Sequence, residues 1–306
     1  MIETRNLTRK FGGLTAVESL TFEVDRGEIF GFLGPNGAGK TTTVRMLTCL
    51  IAKTGGEARV GGYDVGDKEG ARRIRGMVGL VPDNVGLYES LTAEENLDYY
   101  GVLHRMSDSQ RKERSEHLLK LLGLWEKRAL PVGSFSKGMK QKLAVARALI
   151  HDPELIFMDE PTANLDPESA KTVREFIIEL KKRQKTIFLN THNLDEAQRV
   201  CDRIGILNTR LMAVGTPGDL ESSIRGRKTV IQMRQVSEAV LAAVKRLPVR
   251  NLVVEAGKLT VDVESPEEEN PELVSAIVAA GGRVKTVTVT GSSLEDAYLK
   301  LVRDFQ

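Results

Sequence analysis

The sequence predicts an α/β chain: a largely parallel sheet with an inserted helical lobe, followed by a small α+β domain of ferredoxin-like order. Three observations predict it. Short apolar runs alternate with helical stretches from Glu28 to Leu207, the pattern of strand–helix–strand units that build a parallel sheet. Residues 92–150 read as helix after helix and so stand apart as a lobe. From Thr229 the order becomes βαββαβ with one more helix at the end.

The elements follow in order. Ile2 to Leu7 and Leu20 to Val24 alternate as hairpin strands do. Ile29 to Leu33 is a buried-type strand, followed by a Gly-rich turn and a helix from Lys40 to about Ile51. Met77 to Val81 is a second apolar run, leading into a loop from Pro82 to Tyr88. Thr92 with Glu95, and Ser107 with Gln110, are capping-box patterns that start helices, and Leu118, Leu119 and Leu122 give the second helix its apolar face. Ser136 starts another helix. Leu155 to Met158 is again a strand, and Asp166-Pro167 combines a capping acid with a first-turn proline. Thr186 to Asn190 and Arg203 to Leu207 add strands around a helix from Leu194 to Cys201. Thr216-Pro217 opens a linking helix. Beyond it come a strand (Thr229–Met233), a helix (Ser237–Leu247), strands (Asn251–Glu255, Leu259–Val263), a helix (Pro271–Ala280), a strand (Val284–Thr290) and a last helix (Leu294–Val302). The acidic run from Glu264 to Glu269 reads as a solvated loop. These readings place one domain over residues 1–220, with the lobe at about 89–150, and a second over 221–306.

Composition excludes several classes. The chain has 306 residues, 41% hydrophobic and 28% charged, with a net charge of +2, which leaves no electrostatic footprint for nucleic acid. No apolar run is long enough to span a bilayer, so work at a membrane would need a second chain to supply the span. The start, Met1 to Asn6, lacks an apolar signal region. Cys49 and Cys201 have no metal-ligand spacing and fit a reducing compartment. His104, His117 and His151 read as ordinary surface or helix residues.

Chemistry concentrates in a few segments. Gly34-Pro35-Asn36-Gly37-Ala38-Gly39-Lys40-Thr41-Thr42 matches a phosphate-binding loop set between strand and helix. Its backbone N–H groups wrap phosphates, Lys40 reaches the terminal ones, and the Thr41 hydroxyl ligates Mg²⁺. Asp159 emerges at the end of an apolar strand, where it can serve the same Mg²⁺, and Glu160 next to it can take a proton from an attacking water. Phe11, followed by Gly12 and Gly13, can stack on a base, and His192 follows a strand; each alone is a weak signal. The helix from Ser136 carries Lys137, Lys140, Lys142 and Arg147 with no acid. Cations crowd what is already the positive end of a helix dipole, which describes a second anion site.

In this order, Phe11, the phosphate loop, Ser136-Lys137-Gly138-Met139, Asp159-Glu160, Asn164-Leu165-Asp166 and Thr191-His192 resemble the ATP-binding cassette (ABC) ATPases across about residues 1–220. The resemblance implies an ATP- and Mg²⁺-dependent ATPase in which Phe11 stacks adenine and His192 is a switch on the γ-phosphate. Ser136 to Met139 would be the signature sequence that meets the nucleotide of a second cassette subunit, with Asp166 in a loop that communicates across that interface. Asp83 would occupy the loop joining core and lobe, as a catalytic and Mg²⁺-facing residue where the family usually has Gln. The signature also departs from the usual Leu-Ser-Gly-Gly-Gln, reading Phe-Ser-Lys-Gly-Met here. Both departures, with the C-terminal Ser-Ser-Leu-Glu-Asp-Ala-Tyr-Leu, resemble the daunorubicin-type branch of drug-resistance exporters. That branch implies a separate integral membrane permease as partner, with this subunit held peripherally at the cytoplasmic face of the cell membrane.

The competing reading is a single-cassette ABC ATPase that acts in macromolecular or metal-cluster assembly. Translation-factor cassettes come two to a chain, and DNA-repair cassettes carry a long heptad insert between phosphate loop and signature; neither feature is present. A kinase or GTPase of the phosphate-loop class would leave Ser136–Gly138 and His192 without a purpose.

Overall fold

Ile29–Leu33 is apolar at every position except Gly31, so the strand it forms must be covered on both faces. In a computed structural model of the chain, describing residues 1–222, 227–255, 257–263, 265–290 and 294–303, it lies mid-sheet and fully buried. The chain divides into two compact units, Met1–Thr216 and Pro217–Gln306.

The first unit opens with β1 (Ile2–Phe11), β2 (Leu14–Val24) and β3 (Ile29–Leu33), then α1 (Lys40–Leu47), β4 (Gly55–Val60), β5 (Tyr63–Asp64), α2 (Lys68–Met77) and β6 (Val78–Val81). The lobe is α3 (Ala93–Leu103), α4 (Asp108–Leu121) and α5 (Lys137–Leu149), packed on one another. The unit closes with β7 (Leu155–Asp159), α6 (Pro167–Lys182), β8 (Thr186–Thr191), α7 (Leu194–Val200), β9 (Arg203–Asn208) and β10 (Arg210–Gly215). One sheet has the order β2-β1-β4-β5 and is antiparallel; the other has the order β10-β9-β3-β8-β7-β6 and is parallel from β9 to β6. Between them lies a core in which Phe32 stands 4.9 Å from both Phe22 and Phe188, ring centre to ring centre. Burying each such ring contributes about 1.5–3 kcal/mol.

In the second unit, α8 (Pro217–Ser222) precedes β11 (Arg227–Met233), α9 (Glu238–Val244), β12 (Arg250–Glu255), β13 (Lys258–Val263), α10 (Pro266–Ala279), β14 (Val284–Thr290) and α11 (Leu294–Arg303). The strand order β12-β13-β11-β14, antiparallel throughout, is the ferredoxin-like arrangement. Ile231, Val240, Leu259, Val261, Leu273 and Ile277 form its separate core.

Several sequence expectations need correction. The first hairpin runs on to Phe11 and restarts at Leu14, with bulges that break its alternation. The helix after the phosphate loop stops at Leu47, because Cys49 turns the chain at a φ of 56°. The acidic run is a helix start: α10 begins at Pro266, with Glu267, Glu268 and Glu269 in its first turn, where carboxylates favour the dipole. Glu264, Ser292 and Ser293 lie outside the described residues. His104 and His151 are not ordinary surface residues. Their rings stack 3.6 Å apart, and His151 Nε2 sits 3.2 Å from the Val78 carbonyl.

Candidate functional site

Because β3, β8, β7 and β6 run parallel, their C-terminal ends share one edge of the sheet. The segments that follow them must therefore meet there. Pro35 to Thr42, Asp83, Asp159 and Glu160, dispersed in sequence, line one cleft of about 200 Å³. A larger depression of about 610 Å³ lies elsewhere, around Arg26, Arg73 and Glu154. Its arginines are already engaged, Arg26 with Glu154 and Arg73 with Glu69, and it brings no phosphate loop.

The loop is held open for an anion by its glycines. Gly39 caps α1 at a φ of 97°, and a Cβ there would stand 2.5 Å from the Ala16 carbonyl. Only glycine fits both conditions. With no side-chain cap and no acid in its first turn, α1 keeps its first N–H groups for a ligand. Lys40, 6% exposed, donates to the Gly34 carbonyl at 2.6 Å and to that of Pro35 at 3.2 Å. Burial pushes the Lys40 ammonium below its usual pKa, opposed by Glu160 and Asp159. Its nitrogen stands 3.8 Å from Glu160 Oε1.

Across the cleft, Asp159 is 4% exposed and accepts from Asn190 Nδ2 at 3.1 Å. Glu160 adopts a left-handed φ of 50°, a conformation costing roughly 1–2 kcal/mol for an L-residue. It is held there by its N–H to the Asn190 carbonyl at 2.9 Å. Glu160 Oε2 lies 2.9 Å from His192 Nδ1. A carboxylate only accepts, so Nδ1–H is the donor in this contact. Strain stored at a polar, ligand-facing position is a mark of function.

Glu196 escaped the sequence reading. It is fully buried on α7 and accepts from Thr162 Oγ1 and Thr191 Oγ1, both at 2.7 Å. It thereby ties the chain just after Glu160 to the chain just before His192. Nothing in local sequence marks such a residue, since both partners arrive from other elements.

The site suits Mg²⁺. Among the described residues no three His, Cys, Asp or Glu side chains form a metal cage. Mg²⁺ asks for less, being held by one or two protein oxygens together with substrate phosphates. The Thr41 hydroxyl and the Asp159 carboxylate line the same cleft, and buried Asn190 Oδ1 has no protein donor and can accept from a water.

Other predicted residues are not brought into this cleft. Phe11 is 45% exposed at the tip of the β1–β2 hairpin, with the Arg9 guanidinium 4.2 Å from its ring centre. Ser136 caps α5, accepting from the Met139 N–H at 3.3 Å, and Lys137 is exposed beside it. Gly138 lies so close to Ser169 that a Cβ would overlap its hydroxyl. Asp166 caps α6 by accepting from the Ser169 N–H at 2.9 Å, and the Ser169 hydroxyl first, then that N–H, hold its carboxyl below the usual carboxylate range. The α5 and α6 N-termini thus pack together. The cation count on α5 is corrected: Lys140 pairs with Glu89 at 2.5 Å, and Arg147 is buried against main-chain carbonyls. Lys137 and Lys142 alone are left for an external anion.

Comparison with known proteins agrees with this geometry. A family profile described as ABC transporter matches residues 17–163. The chain is 34% identical to the linearmycin resistance ATP-binding protein LnrL of Bacillus subtilis, over 98% of each chain. It is 35% identical to the bacitracin transport ATP-binding protein BcrA of Bacillus licheniformis, over 99% of this chain and 97% of that one. To the daunorubicin resistance ATP-binding protein DrrA3 of Streptomyces coeruleorubidus it is 32% identical, over 97% and 94%. Among solved structures, it resembles a dimeric ATP-binding cassette in a post-hydrolysis state with ADP and Pi. The TM-score is 0.65 at 27% identity, over 71% of this chain and 98% of the other.

Proposed function

The chain belongs to the ABC transporter family as an ATP-binding and ATP-hydrolysing subunit, and from that premise we propose how its residues divide the work. Two copies close head to tail over two ATP molecules. In each, the loop from Gly34 to Thr42 wraps the phosphates, Lys40 compensates charge on the terminal ones, and Phe11 stacks the adenine. Thr41 and Asp159 hold Mg²⁺, with Asp83 facing it, and the ion when bound neutralises charge on the phosphate oxygens. A water attacks the γ-phosphorus, its proton passes to Glu160, and the bond to the β-phosphate oxygen breaks to leave ADP and phosphate. His192 orients Glu160 through Nδ1–H, and in its doubly protonated form it would also donate Nε2–H to a γ-phosphate oxygen.

The observation that carries this reading is the separation of the two anion sites. The cleft holds loop, metal ligands and base, while Ser136 and Gly138 stand on another helix that does not line it. The partner's Ser136 and the partner's Gly138 complete the cleft, and Asp166, beside Gly138, senses that contact. No described helix is long and apolar enough to cross a membrane, so a separate permease supplies the span. Tyr88, Tyr99, Val102 and Leu103 are exposed together on the lobe beside the Asp83 loop and are the surface we assign to it. The subunit then sits at the cytoplasmic face of the membrane. Relatives named for resistance to linearmycin and daunorubicin support export as the direction.

The test is ATPase rate per molecule against protein concentration, for the native chain and Ser136→Arg. A shared site makes the native rate rise with concentration, while Ser136→Arg stays flat and still binds ATP. An undiminished rate at high dilution would overturn the head-to-tail arrangement.

A further inference from the structure

Lys140 and Arg147 are seven residues apart, about two turns, and so share one face of α5. Both grip the same segment. Lys140 Nζ lies 2.5 Å from Glu89 Oε1. Arg147 Nη1 donates to the Val85 carbonyl at 2.5 Å and to the Gly86 carbonyl at 2.9 Å, and Nη2 donates to the Leu80 carbonyl at 3.1 Å. The Tyr100 ring centre lies 5.1 Å from the guanidinium, and the Tyr100 hydroxyl donates to Gly86 O at 3.1 Å.

Arg147 is 8% exposed, and its hydrogen-bond acceptors are main-chain carbonyls rather than a carboxylate. Burial accordingly lowers the pKa of its guanidinium. Burying a cation without an acid is costly, and a fold retains one where its donors satisfy groups that nothing else reaches. Here two of those groups, the Val85 and Gly86 carbonyls, lie in the stretch from Pro82 to Gly86, which belongs to neither helix nor strand; Gly86 O is shared with Tyr100, and the third, the Leu80 carbonyl, is on β6. Asp83 lies within it and lines the nucleotide cleft.

We infer that Arg147 is a positioning residue for the ATPase reaction: it templates the turn that presents Asp83 to the cleft. Because it stands on the same rigid helix as Ser136, roughly 16 Å along the axis, it ties the end of α5 that meets the partner's nucleotide to the Asp83 of its own chain. A pull on the N-terminus of α5 is carried to Asp83 without passing through the core sheet. The inference rests on Asp83 acting in the cleft, as proposed above.

A double-variant cycle tests it, using the full chain at a concentration where the native ATPase rate has reached its plateau. Steady-state ATPase is measured against ATP and against Mg²⁺ for Asp83→Asn, Arg147→Met and the two combined. Arg147→Met is expected to lower kcat about tenfold with KM for ATP within about twofold, and to shift the Mg²⁺ dependence in the direction that Asp83→Asn shifts it. The combined variant is expected to lose no more than the worse single one, since both changes cut the same link. Losses that multiply would overturn the inference and leave Arg147 as a stabilising residue only. A silent Asp83→Asn, with kcat and Mg²⁺ dependence unchanged, would instead remove the reading of Asp83 itself, and Arg147 as its positioning residue with it. Should Arg147→Met not fold, Tyr100→Phe removes a single donor to Gly86; its smaller loss of kcat must vanish in the Asp83→Asn background, and persistence there counts against the inference.

Discussion

At Glu160 three constraints meet in one residue: a left-handed φ of 50°, an N–H bonded to Asn190, and a carboxylate between Lys40 and His192. A carboxylate fixed this way accepts a proton without having to move first. Glu160→Gln keeps the shape and the acceptor oxygen for His192 but cannot take the proton. Turnover is expected to fall by about 10²–10⁴, with ATP still bound, as read by nucleotide binding beside single-turnover hydrolysis. Hydrolysis at the native rate would remove Glu160 as the base. The residues named from sequence, Lys40, Thr41, Asp159 and Glu160, are legible because each lies in a short motif whose spacing carries the chemistry. Glu196, Asn190 and Arg147 are not. Asn190 and Arg147 act on partners tens of residues away, and Glu196 joins nearby Thr191 to Thr162, likewise distant in sequence, all brought near by the fold.

Helices were legible where their caps are written in the sequence. The helices opened by Thr92 and Ser107 have both halves of their capping boxes in place, as their sequences say. Among the elements sequence did not reveal, α2 turns Gly70, Ala71, Ile74 and Met77 inward, a stripe with only two large apolar side chains, and β5 is only two residues long. The contact of α3 with the end of α5 was hidden for another reason: stacked His104 and His151 come from two separate elements. Burial, with His104 and Arg114 adding to it, depresses His151 from 6.5 to about 4, against the opposing Val78 carbonyl and Asp152. Burial likewise lowers His104. The unfolded chain therefore binds the proton that the folded chain refuses. Stability is intact above the unfolded value of 6.5 and is lost as pH falls towards about 4, by no more than roughly 3 kcal/mol for His151. His151→Gln keeps a donor for Val78 without titrating. Urea midpoints measured from pH 6.5 down to 4 are expected to fall less steeply for it than for the native chain. Parallel slopes would mean that the His151 proton is not what the fold excludes.

At the scale of the whole molecule, the ferredoxin-like order was readable because strands and helices of that unit alternate cleanly, with turn residues between them. Among the described residues, the core of the first unit draws on residues from Ile2 to Leu207 with Val214 packed against it, and that of the second on residues from Ile231 to Ile277 with Val284 packed against it. Where the cut falls matters. The readings from sequence put it after residue 220, but Leu220 is 3% exposed on α8, which packs with α11 in the second unit. A chain ended there would carry an apolar side chain with its cover removed. Ending at Thr216 leaves no such remnant. The fragment Met1–Thr216 is therefore expected to unfold in one cooperative transition, within a few degrees of the first unit in the full chain, and to bind ATP. Circular dichroism gives the transition, and fluorescence of Trp125, the single tryptophan, reports on the lobe alone. An aggregated fragment, or a broad transition without bound nucleotide, would mean that the second unit is part of the folding unit of the first and that the two cores are separate only in their side chains.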